Sequence, residues 1–159
     1  MKTATIHTIK KELLEKSHLE LVEIALRLGK FKKENKELLT YLLFEQENED
    51  AYIEGLKEIL KEKFEEIKTK NVYYAKKEIR KSLRELKKFI RFSSLKTTEI
   101  ELIIDFIKHL DELPSQLKRD SQIEGIKLRN IASVKKIILK QHEDLQFDYF
   151  QMLGDYADE

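Results

Sequence analysis

Apolar residues recur every three or four positions along most of the chain, the period of an amphipathic helix. The repeat predicts helices at about 6–15, 18–29, 32–45, 49–68, 72–92, 98–112 and 121–142, with a short one over 145–153. No stretch sustains the period-two alternation of a strand, so no sheet is expected. Three Ser/Thr-x-x-Glu patterns, Ser17/Glu20, Thr98/Glu101 and Ser121/Glu124, read as capping boxes at helix starts. Gly29 stands where a left-handed cap would end the helix begun at Ser17. Pro114 cannot continue a helix, so the segment through Leu113 should stop there.

Short connections favour antiparallel neighbours. The expected architecture is therefore all-α: one domain over 1–159, an antiparallel helical bundle or a short α-superhelix of about six to eight helices. Residues 143–159 would add a terminal helix and an acidic tail.

Composition supports this picture. Four glycines and one proline are too few for a turn-rich β-protein, and the absence of cysteine excludes a disulfide scaffold and thiolate chemistry. Hydrophobic residues at 41% suffice for a core. No apolar run approaches the roughly 18 residues of a membrane span, and the N-terminus lacks the apolar region of a secretory signal. A soluble, cytoplasmic protein without membrane insertion is expected.

Charge adds the first functional clue. Net charge is +1, yet eight of the sixteen residues in KKEIRKSLRELKKFIR (76–91) are Lys or Arg. On a helical wheel, Val72, Ala75, Ile79, Leu83, Leu86, Phe89 and Ile90 span roughly 120°, a stripe for the core. Lys76, Lys77, Arg80, Lys81, Arg84, Lys87, Lys88 and Arg91 fall within about 140° opposite. The acids of the preceding helix (Glu54, Glu58, Glu62, Glu65 and Glu66) point away from a shared core as well, so the basic face should stay in water. It reads as a solvated helix surface, as a footprint for phosphates, as a docking face for an acidic protein partner or, least of all, as a contact for an anionic membrane surface. For the second reading the candidate contacts are Lys76, Arg80, Arg84, Lys87, Lys88 and Arg91, with Tyr73, Tyr74 and Phe92 beside them for base stacking.

Glu101, Asp105, His109 and Glu112 lie within about 80° of one helix face, the most metal-like arrangement in the chain. A dinuclear site in a bundle would need a second helix with Glu-x-x-His, and Glu15-x-x-His18 straddles a helix break. The four are read as the polar strip of a central, otherwise apolar helix, and neither a metal nor another cofactor is expected. His7 and His142 have no partner at a recognisable spacing. No nucleophile elbow, P-loop, dinucleotide fingerprint or zinc-protease motif occurs, so an enzyme is not expected.

Residues 143–159 hold six acids and no Lys or Arg, interleaved with Leu145, Phe147, Tyr149, Phe150, Met152, Leu153 and Tyr156. They predict a docked terminal helix with an acidic end, or else a segment that recognises a partner or lies back over the basic helix. Residues 10–44, KKELLEKSHLELVEIALRLGKFKKENKELLTYLLF, resemble helical segments of bacterial proteins; the likeness rests on generic amphipathic spacing and carries no functional residue. The expectation is a non-enzymatic binding or scaffold module for a protein partner, a second copy of the chain included. The alternative is a nucleic-acid or polyanion binder using the basic helix 72–92.

Overall fold

The computed structural model of the chain describes residues 2–157 and divides it into two compact units, 1–44 and 45–159. Helix makes up 81% of it, and no strand occurs among the described residues, which makes the fold all-α.

The first unit holds α1 (Ile6–Leu14), α2 (His18–Phe31) and α3 (Lys33–Thr40), which runs on into a π-helical segment, Tyr41–Glu45. Thr5 caps α1 by accepting from the Thr8 amide at 3.2 Å. The Ser17/Glu20 capping box forms in full: the Ser17 hydroxyl accepts from the Glu20 amide at 3.3 Å, and Glu20 accepts from the Ser17 amide at 2.8 Å. Those bonds hold the Glu20 carboxyl below its ordinary range. Gly29 does not end α2. It lies inside the helix without a positive φ, and a Cβ there would come 2.8 Å from Leu39 Cδ1. Its hydrogen lets α3 approach α2, and the Asn35 amide, donating to the Leu28 carbonyl at 2.8 Å, ties the corner between them. None of α1, α2 or α3 contains a buried residue.

The second unit is a helical bundle of α4 (Glu49–Lys68), α5 (Val72–Ile90), α6 (Lys96–Asp111), α7 (Ser115–Lys118), α8 (Ser121–Ile138) and α9 (Glu143–Leu153), closed by a 3-10 turn at Gly154–Tyr156. The short α7, which Pro114 opens, is the helix that periodicity alone does not predict. The wide apolar arc of 98–112 puts α6 at the centre, where it meets α4, α5, α8 and α9. Ile100, Leu102, Ile104, Phe106, Ile107 and Leu110 are all but sealed from water, each stabilising the fold by about 1.5–3 kcal/mol. Phe64 of α4 meets Phe106 edge-on, centroids 5.5 Å apart.

Two helix starts differ from the capping patterns. α6 begins at Lys96, two residues before Thr98, because the Thr98 hydroxyl is buried and bonded to Ser93 and Glu49. At α8 the cap is Asp120 rather than Ser121, since its carboxylate accepts from both the Gln122 and Ile123 amides (3.0 and 3.2 Å). The tail does form a docked helix: α9 packs on α6 and α8, and the Tyr156 hydroxyl donates to Asp111 at 2.7 Å. Asp158 and Glu159 of the expected acidic tail lie outside the described residues. Among the described residues, no helix is long and apolar enough to cross a membrane.

Candidate functional site

The core stripe of α5 sets the direction of its basic face. Ala75, Ile79, Ser82, Leu86 and Ile90 are buried, which turns Lys77, Arg80, Lys81, Arg84, Lys87 and Arg91 outward into water. Helix α8 runs beside that face. Its N-cap carboxylate, Asp120, holds Lys76 at 3.2 Å, and its Gln122 side chain accepts from Arg80 at 2.6 Å. Desolvation would raise the Asp120 carboxyl, but the Ile123 amide, Lys76 and the Gln122 amide outweigh it and keep the group below its ordinary range. The two helices are thus stitched together at one end.

Further along, a cavity of about 490 Å³ is lined by both helices. Its floor is Leu83 of α5 and Ile126 of α8. Its rim is six cations, Arg80, Arg84, Lys87, Lys88 and Arg91 from α5 and Arg129 from α8, and among the described residues no carboxylate lines it. A second cavity of about 330 Å³, lined by Tyr73, Lys76, Lys77, Arg80, Arg84 and Gln122, adjoins it through the shared Arg80 and Arg84. Beyond the other end, a third of about 370 Å³ shares Lys87 and Arg91 and is lined by the Ser93–Lys96 turn. There the first carboxylate appears, Glu99, and it sits on Lys96 at 2.8 Å. The three join into one trough along the α5–α8 seam.

Several nearby acids are held by other cations. On α4, Glu54, Glu58 and Glu65 pair with Lys57, Lys61 and Lys68 of their own helix. Glu85, on the border of the α5 stripe, turns to Lys63 of α4, whose hydrogen bond and charge lower its pKa. Lys88 lies 4.3 Å from the Phe89 ring centre. Arg84, Lys87 and Arg129 bond to no other side chain among the described residues.

The structure therefore gathers Lys76, Arg80, Arg84, Lys87, Lys88, Arg91 and Tyr73 along one trough. Tyr74 stands edge-on to Tyr73 at 5.3 Å but faces the other flank of α5, where it lines a mixed-charge cavity with Lys63, Glu78 and Glu85. Phe92 is half-buried beside Phe89. Sequence reasoning missed Arg129, Gln122 and Ile126. Their only signal is membership of a second amphipathic helix, and periodicity does not say which helices are neighbours.

The metal-like strip on α6 disperses. Glu101 is bound by Lys57 of α4 at 3.3 Å. Desolvation would lower the Lys57 pKa, but Glu54 and Glu101 outweigh it and raise it. His109 lies between Asp105 and Glu112 at ion-pair distances of 3.5 and 3.6 Å, with its ring stacked on Phe64 at 5.2 Å. Asp105 raises the His109 pKa against the opposing effect of burial, and Glu112 adds to it. Glu112 also reaches Lys68 at 3.6 Å. Among the described residues, no three His, Asp or Glu side chains converge on a point that would hold a metal ion. His142, unassigned from the sequence, caps α9 by accepting from the Asp144 amide at 3.4 Å.

Compared with protein-family models, with curated proteins and with solved structures, the chain matches none of them.

Proposed function

We propose that this chain is a non-enzymatic polyanion-binding module whose α5–α8 trough takes a phosphate backbone. The observation that carries this is the central cavity: six cations from two helices line about 490 Å³, and no carboxylate among the described residues lines it. A solvated helix face disperses its charges on a convex surface. Here a second helix supplies a further arginine and an apolar floor, and among the described residues Arg84, Lys87 and Arg129 bond to no other side chain that they would give up before meeting a phosphate.

The test is a gel shift of labelled single-stranded and duplex DNA at moderate salt, using the wild type and Arg84→Glu/Arg129→Glu. The wild type should bind in the micromolar range or tighter, and the double reversal should not bind detectably. A control with the same net charge, Lys10→Glu/Lys61→Glu, should bind like the wild type. Equal loss in both variants would show a diffuse charge effect and remove the trough from the account.

A second reading, a protein partner, is favoured by the first unit taken alone. Ile6 (81%), Leu19 (74%) and Phe31 (77%) are largely exposed there, and its three α-helices bury no residue. Sedimentation across a concentration range checks the case of a second copy, for which a strictly monomeric chain is the contrary result.

A further inference from the structure

Resting on the proposal that the trough binds phosphates, we infer that its ligand is one extended nucleic-acid strand, DNA or RNA, with a base stacked on Tyr73. Three features of the trough separate a single strand from other polyanions.

The first is width. The trough runs in the seam of two packed helices, whose axes typically lie about 8–10 Å apart. One sugar-phosphate strand fits such a seam. A duplex reads α-helices that protrude into its major groove, about 12 Å wide, whereas the basic face of α5 is walled on one side by Gln122, Ile126 and Arg129.

The second is the floor. A ligand made only of phosphates, such as inorganic polyphosphate, gains nothing from Leu83 and Ile126 and would have to desolvate against them. A nucleotide strand alternates charge with apolar sugar and base faces, and so matches cations above an apolar floor. The cations recur every three or four residues on α5, about 4.5–6 Å along its axis, a spacing that successive phosphates of an extended strand can follow.

The third is Tyr73. It lies at the end of the trough in the first turn of α5, is 71% exposed, and is braced edge-on by Tyr74 at 83°. An aromatic ring left this open beside a row of cations is the pairing that single-strand binders use, bases on rings and phosphates on cations. From Tyr73 to Arg91 the trough follows about 27 Å of helix, room for about four nucleotides.

The experiment uses the full chain and fluorescence anisotropy at one fixed salt concentration. The ligands are a labelled twelve-nucleotide thymidine or uridine strand, a twelve-base-pair duplex, and inorganic polyphosphate as competitor at matched charge. The strand should bind at least tenfold tighter than the duplex, and polyphosphate should displace it weakly. Tyr73→Leu should weaken the strand about tenfold and leave polyphosphate unchanged, and Tyr73→Phe should keep strand binding. Equal affinity for duplex or polyphosphate, or indifference to Tyr73→Leu while Arg84→Glu/Arg129→Glu abolishes binding, would overturn the inference and leave the trough standing as a general phosphate site. If none of the three polyanions binds, both fall together. Preference between the thymidine and uridine strands identifies which nucleic acid the site takes.

Discussion

The salt dependence of binding can be set in advance from the cations that line the central cavity. Each phosphate contact on a single strand contributes about 0.7 to the slope of log affinity against log salt. If all six rim cations engage, the slope is about −4, and affinity falls about 300-fold between 50 and 200 mM salt. Neutralising Arg84 and Arg129 as Arg84→Gln/Arg129→Gln should bring the slope to about −3 and the fall to about 50-fold. These two are the informative choice because they line one cavity from α5 and α8 and neither bonds to another side chain among the described residues. Removing them orphans no carboxylate, so stability should change by less than about 0.5 kcal/mol, which a thermal melt run alongside verifies. Anisotropy titrations at four salt concentrations give both slopes. A wild-type slope shallower than about −1.5, equivalent to about two contacts, would refute the idea that the rim acts together. An unchanged slope in the variant would refute the placement.

Two further predictions concern the bundle that holds the trough. His109 has a raised pKa in the folded state, so its protonation stabilises the fold fully below its ordinary value near 6.5 and the benefit is lost as pH rises through the raised value; urea midpoints of wild type and His109→Gln should therefore be furthest apart near pH 5.5 and converge towards pH 8.5, and a constant gap would contradict the pairing with Asp105 and Glu112. Phe64 is wholly buried between Phe106 and the His109 ring, so Phe64→Ala should cost about 3–5 kcal/mol in chemical denaturation, and a loss below about 1 kcal/mol would mean that the α4–α6 contact is not a core contact.

How much of this was legible in the sequence depends on what each signal specifies. The period of 3.6 gave the helices and the centrality of α6, because a stripe spanning most of the wheel, from Ile100 to Leu110, has nowhere to go but the middle. It gave the outward turn of Arg80, Arg84 and Lys87 for the same reason. Caps were less secure. Thr98 and Ser121 both have the right chemistry, but each competes with a neighbour: Glu49 and Ser93 take the Thr98 hydroxyl, and the Asp120 carboxylate is a stronger acceptor than the Ser121 hydroxyl. Gly29 shows the ambiguity of a glycine, which permits a positive φ and a close approach equally; only Leu39, ten residues on, decides between them. The facing wall of the trough was beyond reach, because Arg129 becomes relevant only once α8 is known to lie beside α5.

A net charge of only +1 does not by itself argue against polyanion binding, because what matters is where the acids lie. Several are held in local pairs: Glu54, Glu58 and Glu65 along α4, Glu101 on Lys57, Glu112 on Lys68, and Asp111 with Glu124 on Lys127. That last ammonium is pushed up in pKa because Tyr156, Glu124 and Asp111 together outweigh its desolvation. A paired acid one helix away contributes little at the trough, since screening at physiological salt acts over about 8 Å. What an approaching phosphate meets is the field of the rim, concentrated by the low-dielectric walls of a concave seam. Net charge is a sum over the chain, whereas binding samples a neighbourhood. The two acids placed in the seam, Asp120 and Glu99, are each held by a lysine, Lys76 and Lys96, and the cavity between them is lined by six cations.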